Sequence, residues 1–269
     1  MSGWIGKKIR LERIMDRKTK RTLIVPMDHG ITVGPVKGLE DLGHTVDMVA
    51  EGGANAVLGH VGLPIYGHRG YGKDIGLIIH INASNILSTE KNNKVLVNTV
   101  EEAMKIGADA VSIHINIGGK DDSKMLEILG LVSRKCREWG MPLLAMMYPR
   151  GENITDDTDV NNVKMVARVG AELGVDLIKT NWTGDIDSFK EVVKGCPAPV
   201  IIAGGSEKSV LDVLTMTKEA IAAGAAGVAY GRNIFGAKDP IKMTRTISLI
   251  LHQNFEVKEA IKTTGLEIK

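Results

Sequence analysis

Cysteine, aromatic side chains and excess charge are all scarce in this chain, and each scarcity closes off a class of protein. The two cysteines, Cys136 and Cys196, form no CxxC pair and stand at no metal-site spacing from a histidine. That argues against a disulfide framework or a thiolate metal centre and for reduced thiols in a cytoplasmic protein. Phe, Trp and Tyr together make up 4% of the residues, so the core must be built from branched aliphatic and small side chains. The 34 basic residues are almost balanced by 32 acidic ones, a formal charge of +2. This leaves no electrostatic footprint for nucleic acid or an anionic membrane as a partner. No apolar run approaches the roughly 20 residues of a membrane span. The opening Met-Ser-Gly-Trp-Ile-Gly-Lys-Lys-Ile-Arg10 has no apolar signal-peptide centre. The expected location is the cytoplasm.

What is plentiful is glycine, 31 residues of it, together with alanine, valine and isoleucine. Short apolar runs at 22–27, 56–59, 77–81, 110–115, 143–148, 175–180, 200–203 and 227–230 read as strands covered on both faces. Stretches 39–52, 95–106, 123–139, 159–173, 188–194, 206–223 and 240–252 read as helices between them. Residues 3–16 carry helical periodicity, predicting a short helix within 1–20 that plugs one end of the domain. Residues 62–73, rich in glycine and aromatics, read as a loop over an active face, and 256–269 as a polar tail. An internal repeat supports the count. Gly53-Ala-Asn-Ala-Val-Leu, Gly107-Ala-Asp-Ala-Val-Ser, Gly174-Val-Asp-Leu-Ile-Lys and Gly224-Ala-Ala-Gly-Val-Ala align without gaps, about 50 to 70 residues apart. A helix-ending glycine leading into every second strand predicts an α/β fold, a single (β/α)₈ TIM barrel over residues 1–269.

Within Val175-Asp-Leu-Ile-Lys-Thr-Asn-Trp182, a lysine stands inside an apolar strand. The period of two puts Leu177, Lys179 and Asn181 on one face, which points either into a barrel or towards a covering helix. A desolvated amine is driven towards the neutral form that attacks carbonyls, whereas an ordinary lysine there would snorkel or pair with a carboxylate. Barrel chemistry gathers at the carboxyl ends of the strands, so Asp28, Tyr148 and Lys179 converge on one mouth. An amine, a phenol and a carboxylate form a working Schiff-base set, with the imine as electron sink and the other two moving protons. The bland alternatives are a core tyrosine, and an aspartate that caps a strand end or pairs with Lys179. After strands seven and eight, Gly204, Gly205 and Ser206 and then Gly231, Arg232 and Asn233 read as a phosphate cradle. In that reading a helix starting near Ser206 adds its dipole. His29, His60, His80 and His114 also fall near strand ends but at no zinc-motif spacing, and read as hydrogen-bonded polar groups or substrate contacts. No metal or other cofactor is expected.

Pro26-Met-Asp-His-Gly30, Tyr148-Pro-Arg-Gly151, Ile178-Lys-Thr180, Ala203-Gly-Gly205 and Gly231-Arg-Asn233 resemble, in order and along nearly the whole chain, the archaeal-type class I aldolases of the DeoC/FbaB group. The resemblance implies that Lys179 forms the Schiff base, Tyr148 donates a proton and Asp28 accepts one. It also implies that Asp28, His29, Gly30, Ile31 and Thr32, with Tyr148, Pro149 and Arg150, and Gly204, Gly205, Gly231 and Arg232, line a sugar phosphate. Within the group it is similar to the members that move a three-carbon ketone unit from 6-deoxy-5-ketofructose 1-phosphate to L-aspartate semialdehyde, early in a route to 3-dehydroquinate and the aromatic amino acids. Large homo-oligomers, often decamers, are implied with it. Fructose-bisphosphate members tend to carry Trp two residues before the tyrosine, where this chain has Met146. A class I fructose-1,6-bisphosphate aldolase is the nearest alternative, with Arg69, Lys120 or Arg150 for a second phosphate. A sugar-phosphate-binding barrel without catalysis is the more distant one.

Overall fold

The computed structural model describes residues 2–67 and 74–268. At its centre eight parallel strands close into a barrel: β1 (Thr22–Pro26), β2 (Ala56–Gly59), β3 (Gly76–His80), β4 (Ala110–Ile117), β5 (Leu143–Pro149), β6 (Leu177–Thr180), β7 (Val200–Ala203) and β8 (Gly227–Ala229). Each strand pairs with its neighbours in sequence, and β8 returns to β1. The strands are apolar on both faces because both are buried. Leu23, Val25, Ile113 and Ile178 pack outwards on the helices, while Ile24, Leu58, Leu144 and Leu177 fill the barrel. Each such fully buried side chain contributes roughly 1.5–3 kcal/mol of transfer free energy.

The sequence repeat has a physical basis at the end of the barrel away from the mouth. Gly53, Gly107, Gly174 and Gly224 all adopt left-handed φ, between 82° and 95°, one residue past a helix C-cap. At each, the glycine N–H and the next N–H return to carbonyls of the last helical turn, as in Gly53→Ala50 and Ala54→Val49, or Gly174→Ala171 and Val175→Gly170. This is the glycine-requiring Schellman stop. Three of the four repeats then place a polar side chain that accepts from the first N–H groups of the preceding strand. Asn55 takes Leu23 at 2.7 Å, Asp109 takes Leu77 at 3.1 Å and Asp176 takes Leu143 at 2.9 Å.

The two carboxylates among these also hold the opening helix (Ser2–Ile14) across the same end. Lys7 pairs with Asp176 at 2.8 Å and Arg13 with Asp109 at 3.0 Å, and Ile14 enters the barrel interior beside Ile24 and Ile78. The helix is the plug its periodicity predicts. The polar stretch after Glu256 is ordered too: a helix (Val257–Thr264) packs on helix Pro240–Gln253 and buries Ala260.

Three expectations need correction. Residues 95–96 are not helical: Val95–Leu96 pairs antiparallel with Asn82–Ala83, and the helix starts only at Val100, where the Thr99 side chain accepts from the Glu102 N–H. The helix after β7 begins at Val210, because Ser209 and Asp212 bond reciprocally and satisfy its first turn. Ser206 therefore lies in the preceding loop and receives no terminal dipole. Gly62–Gly67, read as loop, is a short helix. The rest of that loop, including Arg69, lies outside the described residues.

Candidate active site

A cavity of about 630 Å³ opens at the carboxyl ends of the strands. Lys179 lies on the inner face of β6, one step along from Leu177 in the barrel core, and is 7% exposed. The face left open by the strand pattern is thus the barrel interior. The register sets Lys179 between Met146 of β5 and Ile201 of β7. Its outward neighbour Thr180 donates to the Met147 carbonyl at 2.8 Å, fixing the strand end.

Tyr148 points inward one pleat beyond Met146 and is 5% exposed. The His114 ring meets it edge-on at 5.0 Å, and the Arg150 guanidinium carbon lies 4.5 Å from its centroid. Those contacts lock the phenol ring at the mouth. Asp28 follows β1 at the cap position of a short helix, His29–Val33, yet its side chain makes no cap hydrogen bond. Its carboxylate lines the cavity instead.

Burial would raise the Asp28 carboxyl, but His80, Lys179, His29 and His60 around it hold it below its ordinary value. Burial pushes the His80 imidazole down to about 3 against the opposing pull of Asp28, so His80 is neutral at physiological pH. His80 Nδ1 bonds Ser112 Oγ at 2.7 Å and stacks edge-on with His60 at 5.1 Å. His114, held well below its ordinary range by burial and then by Lys94 and Arg150, bonds Asn116 Oδ1 at 2.8 Å.

Across the mouth, the loops after β7 and β8 form one unit. Arg232 donates to the Gly205 carbonyl at 3.0 Å. Asn233 donates to the Gly204 and Ser206 carbonyls at 3.2 and 3.3 Å and accepts from the Lys208 N–H at 2.9 Å. Gly205 has φ +67°, and a Cβ on Gly231 would stand 2.9 Å from the Pro26 carbonyl and against the His29 ring. Glycine at 231 is therefore set by close approach as much as by any ligand.

The cavity brings together Asp28, His29, Thr32, Tyr148, Arg150, Lys179, Gly204, Gly205, Ser206, Gly231 and Arg232. Gly30 and Ile31 are exposed on the short helix outside the lining, Pro149 faces a neighbouring groove, and Asn233 is buried behind the cradle as its clamp. Lys94, Met146, Asp157, Asn181 and Trp182 also line the cavity, although none of them was singled out as a ligand from sequence. For Asn181 the signal was present, since it shares the Lys179 face.

A parallel barrel with an inward lysine, a locked tyrosine and a glycine–arginine cradle at its mouth defines an enzyme of the class I aldolase type. The profile of the DeoC/LacD family aldolases matches residues 22–237, and the chain belongs to that family. It is 42% identical over 261 residues to 2-amino-3,7-dideoxy-D-threo-hept-6-ulosonate synthase 1 of Archaeoglobus fulgidus, covering 97% of this chain and 96% of that one. It is 36% identical to 2-amino-4,5-dihydroxy-6-oxo-7-(phosphonooxy)heptanoate synthase of Streptomyces griseus, covering 93% and 91%. An archaeal fructose-1,6-bisphosphate aldolase, solved with its catalytic lysine covalently bound to a carbinolamine intermediate, superposes with a TM-score of 0.83 at 28% identity, over 91% of this chain and 99% of that one.

Proposed function

We propose that this enzyme transfers a three-carbon ketone unit from 6-deoxy-5-ketofructose 1-phosphate to L-aspartate semialdehyde, forming 2-amino-3,7-dideoxy-D-threo-hept-6-ulosonate. The Lys179 amine adds to the C5 ketone, and loss of water gives an imine. Removal of the C3 hydroxyl proton breaks the C3–C4 bond. The electron pair moves into the imine as an enamine, and hydroxypyruvaldehyde phosphate leaves. The enamine carbon then bonds the aldehyde carbon of L-aspartate semialdehyde, the new alkoxide takes a proton, and water releases the product and the free amine. Tyr148 serves as proton donor and Asp28 as acceptor. The covalent imine supplies the electron sink, so the mechanism calls on no metal.

The observation that carries the chemistry is the inward Lys179, buried between strand partners and facing a cavity that also holds Tyr148 and Asp28. The 42% identity to a synthase over almost the whole chain supports the choice of substrates. Met146, lining the cavity where bisphosphate aldolases tend to carry Trp, favours the synthase over the bisphosphate reaction. Gly204, Gly205, Ser206 and Arg232 supply N–H groups and charge for the sugar phosphate. Trp4, Ile5 and Ile9, exposed along the opening helix, support a homo-oligomer.

The test is to supply purified enzyme with each of three donors, 6-deoxy-5-ketofructose 1-phosphate, dihydroxyacetone phosphate and fructose 1,6-bisphosphate, together with L-aspartate semialdehyde, and to read the products by mass. The amino-ketone without phosphate, which only the first donor can yield, is expected as the main product. A C7-phosphorylated product from dihydroxyacetone phosphate would move the chain to the chemistry named for the Streptomyces relative. Preferential cleavage of the bisphosphate would make it a fructose-bisphosphate aldolase.

A further inference from the structure

Among the described residues, Lys94 is the one lysine besides Lys179 whose side chain is buried into the cavity lining. It stands at the start of the second strand of the Asn82–Ala83/Val95–Leu96 ribbon, which folds over the β3–β4 side of the mouth. Its ammonium donates to Ser84 Oγ at 2.7 Å, and that hydroxyl in turn donates to the Lys91 carbonyl. Among the described residues no carboxylate pairs with it. Burial first, and then the neighbouring Arg150 charge, pull Lys94 below its ordinary range, with the Asp28 carboxylate pulling the other way.

This corner is separate from the Gly205–Arg232 cradle. Lys94 and Arg150 act on His114 of β4, and Arg150 lies over the Tyr148 ring of β5, whereas the cradle joins the loops after β7 and β8. Lys179 on β6 lies between the two. A carboxylate completes the corner: Asp157 lies 3.6 Å from the Arg150 guanidinium, and its backbone carbonyl accepts from Asn181 at 2.7 Å, two residues beyond Lys179. An unpaired buried ammonium, a guanidinium and a half-exposed carboxylate within one corner match the two charges of an α-amino acid head group.

We propose that Lys94 and Arg150 hold the α-carboxylate of the aldehyde acceptor while Asp157 takes its α-ammonium. This rests on the reading of L-aspartate semialdehyde as acceptor, and makes the corner the determinant of acceptor choice. The cradle across the mouth is then left to the sugar-phosphate donor.

Lys94→Gln keeps a donor for Ser84 and removes the charge; Asp157→Asn alters a half-exposed position and carries the second arm. KM is measured for L-aspartate semialdehyde, for succinate semialdehyde (which has the carboxylate and lacks the ammonium) and for the ketose donor. Lys94→Gln should raise KM for both aldehydes about tenfold or more, with donor KM held within about twofold. Asp157→Asn should raise KM for L-aspartate semialdehyde about fivefold or more and leave succinate semialdehyde within about twofold. Borohydride trapping of the donor on Lys179 should persist in both variants, which separates a substrate contact from a folding defect. Unchanged acceptor KM in Lys94→Gln, or a donor KM that rises as much, overturns the assignment of Lys94. Equal effects of Asp157→Asn on the two aldehydes overturn that of Asp157. Wild-type enzyme that adds no unit to L-aspartate semialdehyde would instead sink the acceptor reading itself.

Discussion

Acidification should weaken the folded protein through its buried imidazoles before any carboxylate titrates. His80 is 4% exposed and held neutral, its imidazole pushed down to about 3 from an ordinary 6.5. Because the folded value is depressed, the unfolded chain binds the proton more readily. The stability is present above 6.5 and is lost as pH falls towards 3. Between about pH 7 and about pH 5 the unfolded imidazole gains roughly 0.7 of a proton that the folded one refuses, worth roughly 2 kcal/mol. His114, His60 and His29 are displaced in the same direction, chiefly by burial, and add to the loss. Asp28 lies below its ordinary 3.8 and so contributes only at lower pH, outside this window. Urea unfolding followed at the two pH values gives the difference directly. His80→Gln, which can still reach Ser112, should reduce the pH dependence by roughly 2 kcal/mol. A midpoint that does not move between the two pH values, or a His80→Gln protein with the full wild-type pH dependence, would refute the claim that this imidazole is buried and neutral.

Lys179→Ala should abolish turnover, since it removes the amine that forms the imine; retained ketose cleavage would contradict the mechanism. Tyr148→Phe should lower kcat by roughly 10²- to 10⁴-fold while the imine still forms, seen as a borohydride adduct without turnover. Loss of trapping would show that the phenol is needed for imine formation as well. Arg232→Ala should raise KM for the phosphorylated donor about tenfold or more and leave that for L-aspartate semialdehyde nearly unchanged; an unchanged donor KM would remove Arg232 from the phosphate site.

Much of the barrel was legible because a strand buried on both faces leaves a continuous apolar run, and eight such runs are visible here. The glycine repeat was legible for a sharper reason: four helices stop through the same left-handed turn, which nearly requires glycine. Helix starts were harder to place. Ser206 and Ser209 are equally good caps by residue type, and only Asp212, three residues after Ser209, decides between them. Val95 and Leu96 fit a helical pattern locally, and their pairing with Asn82–Ala83 depends on a contact no short window contains. Asp28, Tyr148 and Lys179 stood out as reactive groups at strand ends. Lys94 did not, because Lys91-Asn-Asn-Lys94 reads as a solvated turn and becomes part of the cavity only when the ribbon folds over the mouth.

The most direct test of the central claim is borohydride reduction of the enzyme with 6-deoxy-5-ketofructose 1-phosphate, followed by intact mass and peptide mapping. The account predicts a single stable adduct on Lys179, of the mass of the retained three-carbon unit once the phosphorylated aldehyde has left. An adduct on another lysine, or turnover with no adduct at all, would contradict it.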